Sequence, residues 1–163
     1  MSGSTAQRMR IEDPYLADTL VAVGRLMEDA HDPWWVIASA AVALHGADPG
    51  PVGDVDMLIG VDDALRILPS IGIEPRAGSA HADFRSDIFG RWTRPPLPVE
   101  FMAGFSHRSF GEWQRVEPAT REHFQLRGVR LYIPSRAELG DLLRRFGRPK
   151  DVVRANRLAA IMP

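Results

Sequence analysis

Apolar residues recur at helical spacing near the start of the chain and then form short continuous runs. Asp13-Pro14 has the form of an N-cap followed by proline, and the apolar positions after it repeat every three or four residues. The pattern predicts, in order, a helix over Asp13–Ala30, a buried strand over Trp34–Ala38, an Ala-rich helix that Ser39 caps and Gly46 ends, a turn at Asp48–Pro51, a strand over Asp54–Gly60, and a helix over Asp62–Leu68 that Pro69 stops.

The second half of the chain mixes short strand patterns with two helices at its end. Ser135 and Glu138 match a capping box, and Gly147–Pro149 separate the two final helices. The pattern predicts strands over Ile71–Ile73, Phe84–Trp92 and Leu97–Phe101, a hairpin over Gln125–Ile133 with its turn at Arg127-Gly128, and a last helix over Lys150–Ile161. The fold class is therefore mixed α/β (α+β), a β-sheet flanked by helices with a C-terminal helical segment over 135–163.

Length and composition limit the class of protein. The 163 residues, 45% of them hydrophobic, suit a single domain over 1–163, of which we expect 1–12 to be flexible. The absence of cysteine excludes disulfides and thiolate metal sites, and the net charge of −1 argues against a general nucleic-acid binder. The polar N-terminus has no signal-peptide pattern and no run is long enough to cross a bilayer, so we expect a cytoplasmic protein with no membrane partner.

The candidate chemistry begins with two carboxylates in one apolar run. Asp54 and Asp56 are two residues apart, so on a strand they point to the same face about 7 Å apart. Such a pair repels unless a proton or a metal ion neutralises it, and Mg²⁺ prefers oxygen ligands. The alternative is a pair of solvated aspartates at the end of a strand.

Two further residues favour a phosphate and metal site. Glu100 alternates with apolar neighbours on a short strand and would provide a third oxygen ligand if that strand lay beside the first pair. Ser39, at the start of its helix, combines a hydroxyl with free backbone N–H groups, which suits a phosphate. Taken alone, Ser39 is better explained as an ordinary N-cap.

In this combination the chain resembles the nucleotidyltransferase superfamily. The resemblance rests on four features: Ala38-Ser39 before a short helix, Gly46, the Asp54-Val55-Asp56 strand and the later Glu100. The segment Arg148-Pro149-Lys150-Asp151 also resembles the Arg-x-Lys-Asp motif of small bacterial members, including those related to toxin–antitoxin systems and aminoglycoside modification. The resemblance extends over roughly 34–158 and implies a nucleotidyltransferase-like mixed sheet.

The resemblance implies a role for each matched residue. Asp54 and Asp56 would be Mg²⁺ ligands, and Glu100 would be a third ligand or the base for an acceptor hydroxyl. Ser39 would hold the triphosphate, and Lys150 would neutralise phosphate charge. The implied reaction is Mg²⁺-dependent transfer of a nucleoside monophosphate from a nucleoside triphosphate to a hydroxyl, with release of pyrophosphate and two ions in the site.

The chain also departs from the family pattern. Ala38 stands where many relatives have glycine, and Gly50 and Val52 stand where relatives often have arginine and threonine or serine. These departures leave an alternative function, a catalytically degenerate protein of the same fold that acts by binding a partner protein, for example as a toxin–antitoxin component.

The acceptor is left open between a small molecule, a tRNA and a protein. The segment between Ser79 and Thr93 is expected to complete the wall of the cleft, and three of its polar residues are candidates for the site: Arg85, Ser86 and Asp87.

Overall fold

The computed structural model describes residues 11–79 and 81–161. The helices are α1 (Pro14–Leu26), α2 (Ala38–Leu44), α3 (Val61–Ser70), α4 (Arg136–Phe146) and α5 (Pro149–Ala159), with a 3₁₀ turn at Met27–Asp29. The strands are β1 (Trp35–Ile37), β2 (Val55–Ile59), β3 (Arg76–Gly78), β4 (Phe84–Trp92), β5 (Val99–Ala103), β6 (Ser106–Ser109), β7 (Glu112–Arg115), β8 (Glu122–Leu126) and β9 (Val129–Ile133). The predicted mixed α/β class is confirmed.

Of the strands in the described residues, seven form one mixed sheet and two form a separate hairpin. The sheet has the order β1-β2-β5-β4-β6-β7, and β3 also pairs with β4. Strands β2 and β5 run parallel, whereas the other pairs are antiparallel. The β8–β9 hairpin, predicted from its turn, contacts α1 and β1. The parallel pair is central to the site because it brings together two segments that are more than 40 residues apart in the chain.

The two faces of the sheet carry cores of different size. Met57 and Phe101 point into the larger core, which α1, α2 and α3 help to form. Leu58 and Met102 point to the opposite face, where a smaller core includes Leu142 of α4. Because side chains alternate along a strand, Asp56 and Glu100 share the face of Leu58 and Met102. The acidic residues therefore lie on the less completely covered face.

The prediction of a strand over Ile71–Ile73 is wrong. These residues close the end of α3, where the backbone N–H groups of Ile71 and Ile73 both donate to the carbonyl of Leu68. Ile71 and Ile73 pack on the larger core from this turn. Their sequence pattern is therefore the same as that of a short buried strand. The neighbouring strand is β3, whose residues are mostly exposed and show no apolar alternation.

Pro69 does not stop α3 as predicted, because the helix continues to Ser70. Proline cannot donate a backbone hydrogen bond and its ring crowds the carbonyl one turn earlier, which is consistent with a helix that ends one residue after Pro69.

The capping predictions are confirmed in part. Asp13 caps α1 through a hydrogen bond from the Tyr15 N–H to its carboxylate, and the Ser135 hydroxyl accepts from the N–H of Glu138. The Glu138 carboxylate does not return to the N-cap. It instead accepts from the backbone N–H groups of Ala119 and Thr120, and so joins α4 to the preceding loop.

The expected flexibility of 1–12 concerns residues that lie almost entirely outside the described part of the chain. Within 11–79 and 81–161, none of the helices has the length and apolar character that a bilayer crossing requires.

Candidate active site

Three carboxylates meet beside the parallel strand pair. Asp56 in β2 is the register partner of Glu100 in β5, and Asp54 immediately precedes β2 on the same face. One oxygen from each of the three carboxylates lies within 4.8 Å of the other two, and each residue is partly exposed. We call Asp54, Asp56 and Glu100 the acid cluster. Its geometry is that expected for three oxygen ligands of one cation site.

The electrostatics of the acid cluster are unfavourable without a cation. Burial raises the pKa of Asp56 to about 8, and the charges of Asp54 and Glu100 and a hydrogen bond with Glu100 act in the same direction. Arg148 lowers this pKa and so opposes the shift. Without a cation, burial and repulsion therefore favour the protonated form of Asp56 over three charged carboxylates. A divalent cation would replace that proton and offset the repulsion.

A cross-strand ion pair holds Glu100. Arg91 of β4 is the register partner of Glu100, and its guanidinium lies 2.7 Å from the Glu100 carboxylate. Half of the Arg91 side chain is exposed, so solvent weakens the pair energetically. Arg91 holds Glu100 from the β4 side, and Glu100 also makes the hydrogen bond with Asp56 on the β2 side.

The turn between β1 and α2 differs from its prediction. Ser39 is not the N-cap of α2, because Ile37 occupies that position and makes no side-chain cap. Between them, Ala38 has a φ of +58°, in the left-handed region that favours glycine. Ser39 is buried as the second residue of the helix. The backbone thus keeps the sharp turn for which a glycine would be better suited, and the phosphate role of Ser39 stays a prediction.

The sequence analysis missed Arg148 and selected Lys150 instead. Arg148 lies beside the acid cluster and lowers the pKa of Asp56, whereas Lys150 is exposed on the first turn of α5. The fully buried Asp151 accepts from the Arg148 Nε at 2.6 Å and from a terminal nitrogen at 3.1 Å. The Arg-x-Lys-Asp spacing could have revealed this, because an Asp at i+3 can both cap the helix and hold the arginine.

A cavity of about 540 Å³ opens next to the acid cluster, with Asp56, Glu100 and Arg148 in its wall. We call it the aromatic cavity. The large apolar side chains in its wall are Ile37, Phe84, Phe89, Met102, Phe105 and Phe146.

The segment between Ser79 and Thr93 contributes to this wall, as expected. Arg85 and Ser86 line the aromatic cavity, whereas Asp87 is not among the described lining residues and instead lies 3.6 Å from Arg115. Lys150 is also not among the described residues that line it.

Comparison with known proteins gives matches at the level of structure alone. No protein-family model matches the sequence, and no curated protein matches it significantly. Among solved structures, a candidate nucleotidyltransferase from Thermotoga maritima is 20% identical and has a TM-score of 0.64, covering 84% of this chain and 87% of its own. The lincosamide antibiotic adenylyltransferase LnuA, in its lincomycin-bound form, is 11% identical with a TM-score of 0.58, covering 94% of this chain and 100% of its own.

This chain has the nucleotidyltransferase fold. A third similar structure, the nucleotidyltransferase-like antigenic protein from Paracoccidioides brasiliensis, is 15% identical with a TM-score of 0.54 and covers 90% of this chain and 75% of its own. The fold expected from the resemblance is thereby confirmed. The TM-scores establish a shared fold, but identities of 11% to 20% do not extend that likeness to chemistry. The chemistry of this nucleotidyltransferase-fold chain has to be argued from its own residues.

Proposed function

We propose that this protein is a Mg²⁺-dependent nucleotidyltransferase that transfers a nucleoside monophosphate from a nucleoside triphosphate to a hydroxyl group of a small molecule. The observation that carries the proposal is the convergence of Asp54, Asp56 and Glu100 at the edge of an accessible cavity. Three carboxylates within 4.8 Å of one another are costly for a fold to retain unless a cation uses them.

The acid cluster suits Mg²⁺ better than it suits a softer metal. All three side chains offer carboxylate oxygen, the ligand that hard cations prefer, and the rest of the coordination would come from phosphate and water. Asp54, Asp56 and Glu100 would hold the metal. When bound, Mg²⁺ supplies positive charge that offsets the negative charge of the reacting phosphates.

The residues around the acid cluster suit a triphosphate. The guanidinium of Arg148 is held in the cavity wall by Asp151 and offers a fixed cation for a phosphate oxygen. Ser39 lies at the β1–α2 turn, two residues after Ile37, which is the register partner of Asp56. We assign the triphosphate to Ser39 and Arg148, with Lys150 as a further, more exposed cation.

The proposed reaction is an in-line substitution. The acceptor hydroxyl oxygen forms a bond to the α-phosphorus, the bond from that phosphorus to the bridging oxygen breaks, and pyrophosphate leaves with the electron pair. Glu100 is placed to take up the hydroxyl proton or to share the cation. The positioning of the two reactants accounts for much of the rate gain expected from such a site.

Two structural neighbours suggest what kind of acceptor to test first. LnuA was solved with lincomycin, and ANT(2″)-Ia was solved with adenylyl-2″-tobramycin, so both proteins bind hydroxyl-bearing antibiotics. The intact acid cluster favours catalysis over the alternative of a degenerate binding protein, in which one of the three acids would be expected to have been lost.

The test is label transfer from α-³²P nucleoside triphosphates with Mg²⁺ and a mixture of hydroxyl compounds from a cell extract. The Asp56→Asn variant should lose transfer by about 10³-fold or more, since it removes a ligand shared by the reacting centre. Asp62→Asn, an equal change at an exposed position on α3, is the control and should leave transfer unchanged. Equal activity in Asp56→Asn and the parent would refute the mechanism. No transfer, together with no thermal stabilisation by nucleotide and Mg²⁺, would favour the degenerate binding protein.

A further inference from the structure

The aromatic cavity extends from the acid cluster across the sheet. Along the sheet order its wall includes Ile37 of β1, Glu100 and Met102 of β5, Phe89 of β4 and Gly78 of β3. Adjacent strands lie about 4.8 Å apart, so four strand spacings give the cavity a span of roughly 19 Å. A compartment of this size is large enough for a compact organic molecule placed beside the acid cluster.

Two members of the acid cluster lie at the boundary of the aromatic cavity and one lies outside it. Asp56 and Glu100 line the aromatic cavity, whereas Asp54, just before β2, is not among its described lining residues. Glu100 is thus the member of the acid cluster that faces the β4–β3 side. Under the proposed reaction, a hydroxyl that approaches next to Glu100 would extend the rest of its molecule over Met102 and Phe89.

The wall on this side is apolar and only partly covered by protein. Phe84, Phe89 and Phe146 pack against the smaller core while keeping part of their surface exposed. At Gly78 an added Cβ would lie 2.7 Å from the Phe89 Cβ, so glycine lets β3 lie close against Phe89 at this wall of the cavity. Partly exposed aromatic rings around an open space favour a ligand with an aromatic or aliphatic body.

The charges of the wall disfavour a polycation. Beyond the acid cluster, the described lining residues with permanent charge are Arg85 and Arg148. Arg85 is held with its guanidinium carbon 4.1 Å from the centre of the Trp113 ring. With the acid cluster holding a metal ion and Arg148 paired with Asp151, Arg85 is the charged group left on the described wall of the cavity. A ligand with several ammonium groups would meet this cation, and the only carboxylates among the described lining residues would be those on the metal ion.

We infer that the aromatic cavity is the acceptor subsite and that its acceptor is a hydroxyl compound with an apolar body, uncharged or anionic, not a polyamine. This inference rests on the proposed function, since it assigns the second substrate of the same site. It narrows the acceptor class to molecules whose apolar part packs on Phe89 and Met102 and whose charge is not repelled by Arg85.

The test compares three probes by calorimetry on the full chain with Mg²⁺ and α,β-methylene-ATP. The probes are 1-naphthalenemethanol as an uncharged aromatic alcohol, 3-hydroxy-2-naphthoate as an anion, and tobramycin as a polycation. The first two should bind at least tenfold more tightly than tobramycin. Phe89→Ala should weaken naphthalenemethanol about tenfold, since much of its apolar contact is lost. Phe110→Ala, at a fully exposed phenylalanine on the β6–β7 turn, should not change it.

Two more variants keep the inference falsifiable. Met102→Gln keeps the side-chain length and should weaken the aromatic alcohol even if Phe89→Ala folds poorly. Arg85→Glu should weaken the naphthoate and strengthen tobramycin, each by about tenfold. Tighter binding of tobramycin to the parent would overturn the inference. So would a loss of nucleotide affinity in Phe89→Ala with unchanged alcohol affinity, because the cavity would then hold the nucleobase.

Failure of the proposed function gives a different result. In that case the shift in melting temperature that nucleotide and Mg²⁺ cause would be no larger in the parent than in Asp56→Asn, whichever probe binds. The acceptor assignment would fall with it. If nucleotide and Mg²⁺ do stabilise the parent and only tobramycin binds, the proposed function stands and the inference about the acceptor fails.

Discussion

The left-handed conformation of Ala38 allows a quantitative test of strain in the turn before α2. Ala38 has a φ of +58°, and a residue with a Cβ pays about 1–2 kcal/mol for this region relative to glycine. The Ala38→Gly change removes that strain. It also removes a methyl group that is 9% exposed, and it increases the freedom of the unfolded chain.

Ala40→Gly is the matched comparison, two residues further into the same helix. Ala40 is fully buried in α2, so its change loses the same methyl and adds the same unfolded-state entropy with no strain to relieve. Burial of a methyl contributes about 0.8 kcal/mol and glycine in a helix costs about 1 kcal/mol, so we expect Ala40→Gly to lose about 2 kcal/mol. For Ala38→Gly the strain relief offsets these costs, and the net change should be close to zero.

The two variants should therefore differ by about 1–2 kcal/mol in free energy of unfolding, or about 2–8 °C in melting temperature for a chain of this length. Urea unfolding followed by tryptophan fluorescence measures the difference, with equal m-values as the check that both variants unfold alike. If the two changes destabilise the protein equally, Ala38 is not strained and the described geometry of this turn is incorrect.

Three further predictions concern the carboxylates. Asp63→Asn should lower the free energy of unfolding by about 2–4 kcal/mol, because this buried carboxylate accepts hydrogen bonds from the backbone N–H groups of residues 31 and 32. The pKa of Asp63 is lowered from 3.8, so its contribution to stability is complete above pH 3.8 and is lost as the pH falls through the folded-state pKa. If the variant and the parent show the same pH profile in urea unfolding, this prediction is wrong. Asp151→Asn should lower the melting temperature and weaken the binding of ATP with Mg²⁺ by about tenfold, because Arg148 is then no longer held in place. Asp141→Asn, the same change at an exposed position, should do neither. If both variants lower the melting temperature equally, the prediction is wrong. Mg²⁺ alone should raise the melting temperature of the parent and not that of Asp56→Asn, and chelation by EDTA should reverse the shift; an identical shift in both would place the cation elsewhere.

The acid pair could be predicted from sequence because it depends on local periodicity. Two residues at i and i+2 share a face of any strand, so the common orientation of Asp54 and Asp56 needs no knowledge of the tertiary fold. The place of Glu100 needed one more fact, the pairing of β5 with β2. No local signal specifies this parallel pairing, and the sequence analysis could state it only as a condition.

The strands on the far side of the sheet show where local patterns fail. β6 and β7 were missed because their residues are mostly polar or charged, as in Ser106–Ser109 and Glu112–Arg115. Their pairing with β4 and with each other is held by backbone hydrogen bonds, which leave little trace in hydrophobic periodicity. The error at Ile71–Ile73 has the opposite cause, because there the apolar residues pack from a helix end.

The choice between Lys150 and Arg148 shows why a motif alone did not identify the cation at the site. The family resemblance pointed to Lys150, but a motif match says nothing about the direction of a side chain. The Arg148 position is set by Asp151, whose burial is itself a consequence of how α5 docks against the fold. In a capping pair such as Arg148 and Asp151, the carboxylate at i+3 holds the arginine side chain near the start of the helix, against the segment that precedes it. In this fold that is the end of α4 and the aromatic cavity. Within such a motif, then, the residue that an internal carboxylate holds in place is the better candidate for a fixed phosphate contact than an exposed neighbour.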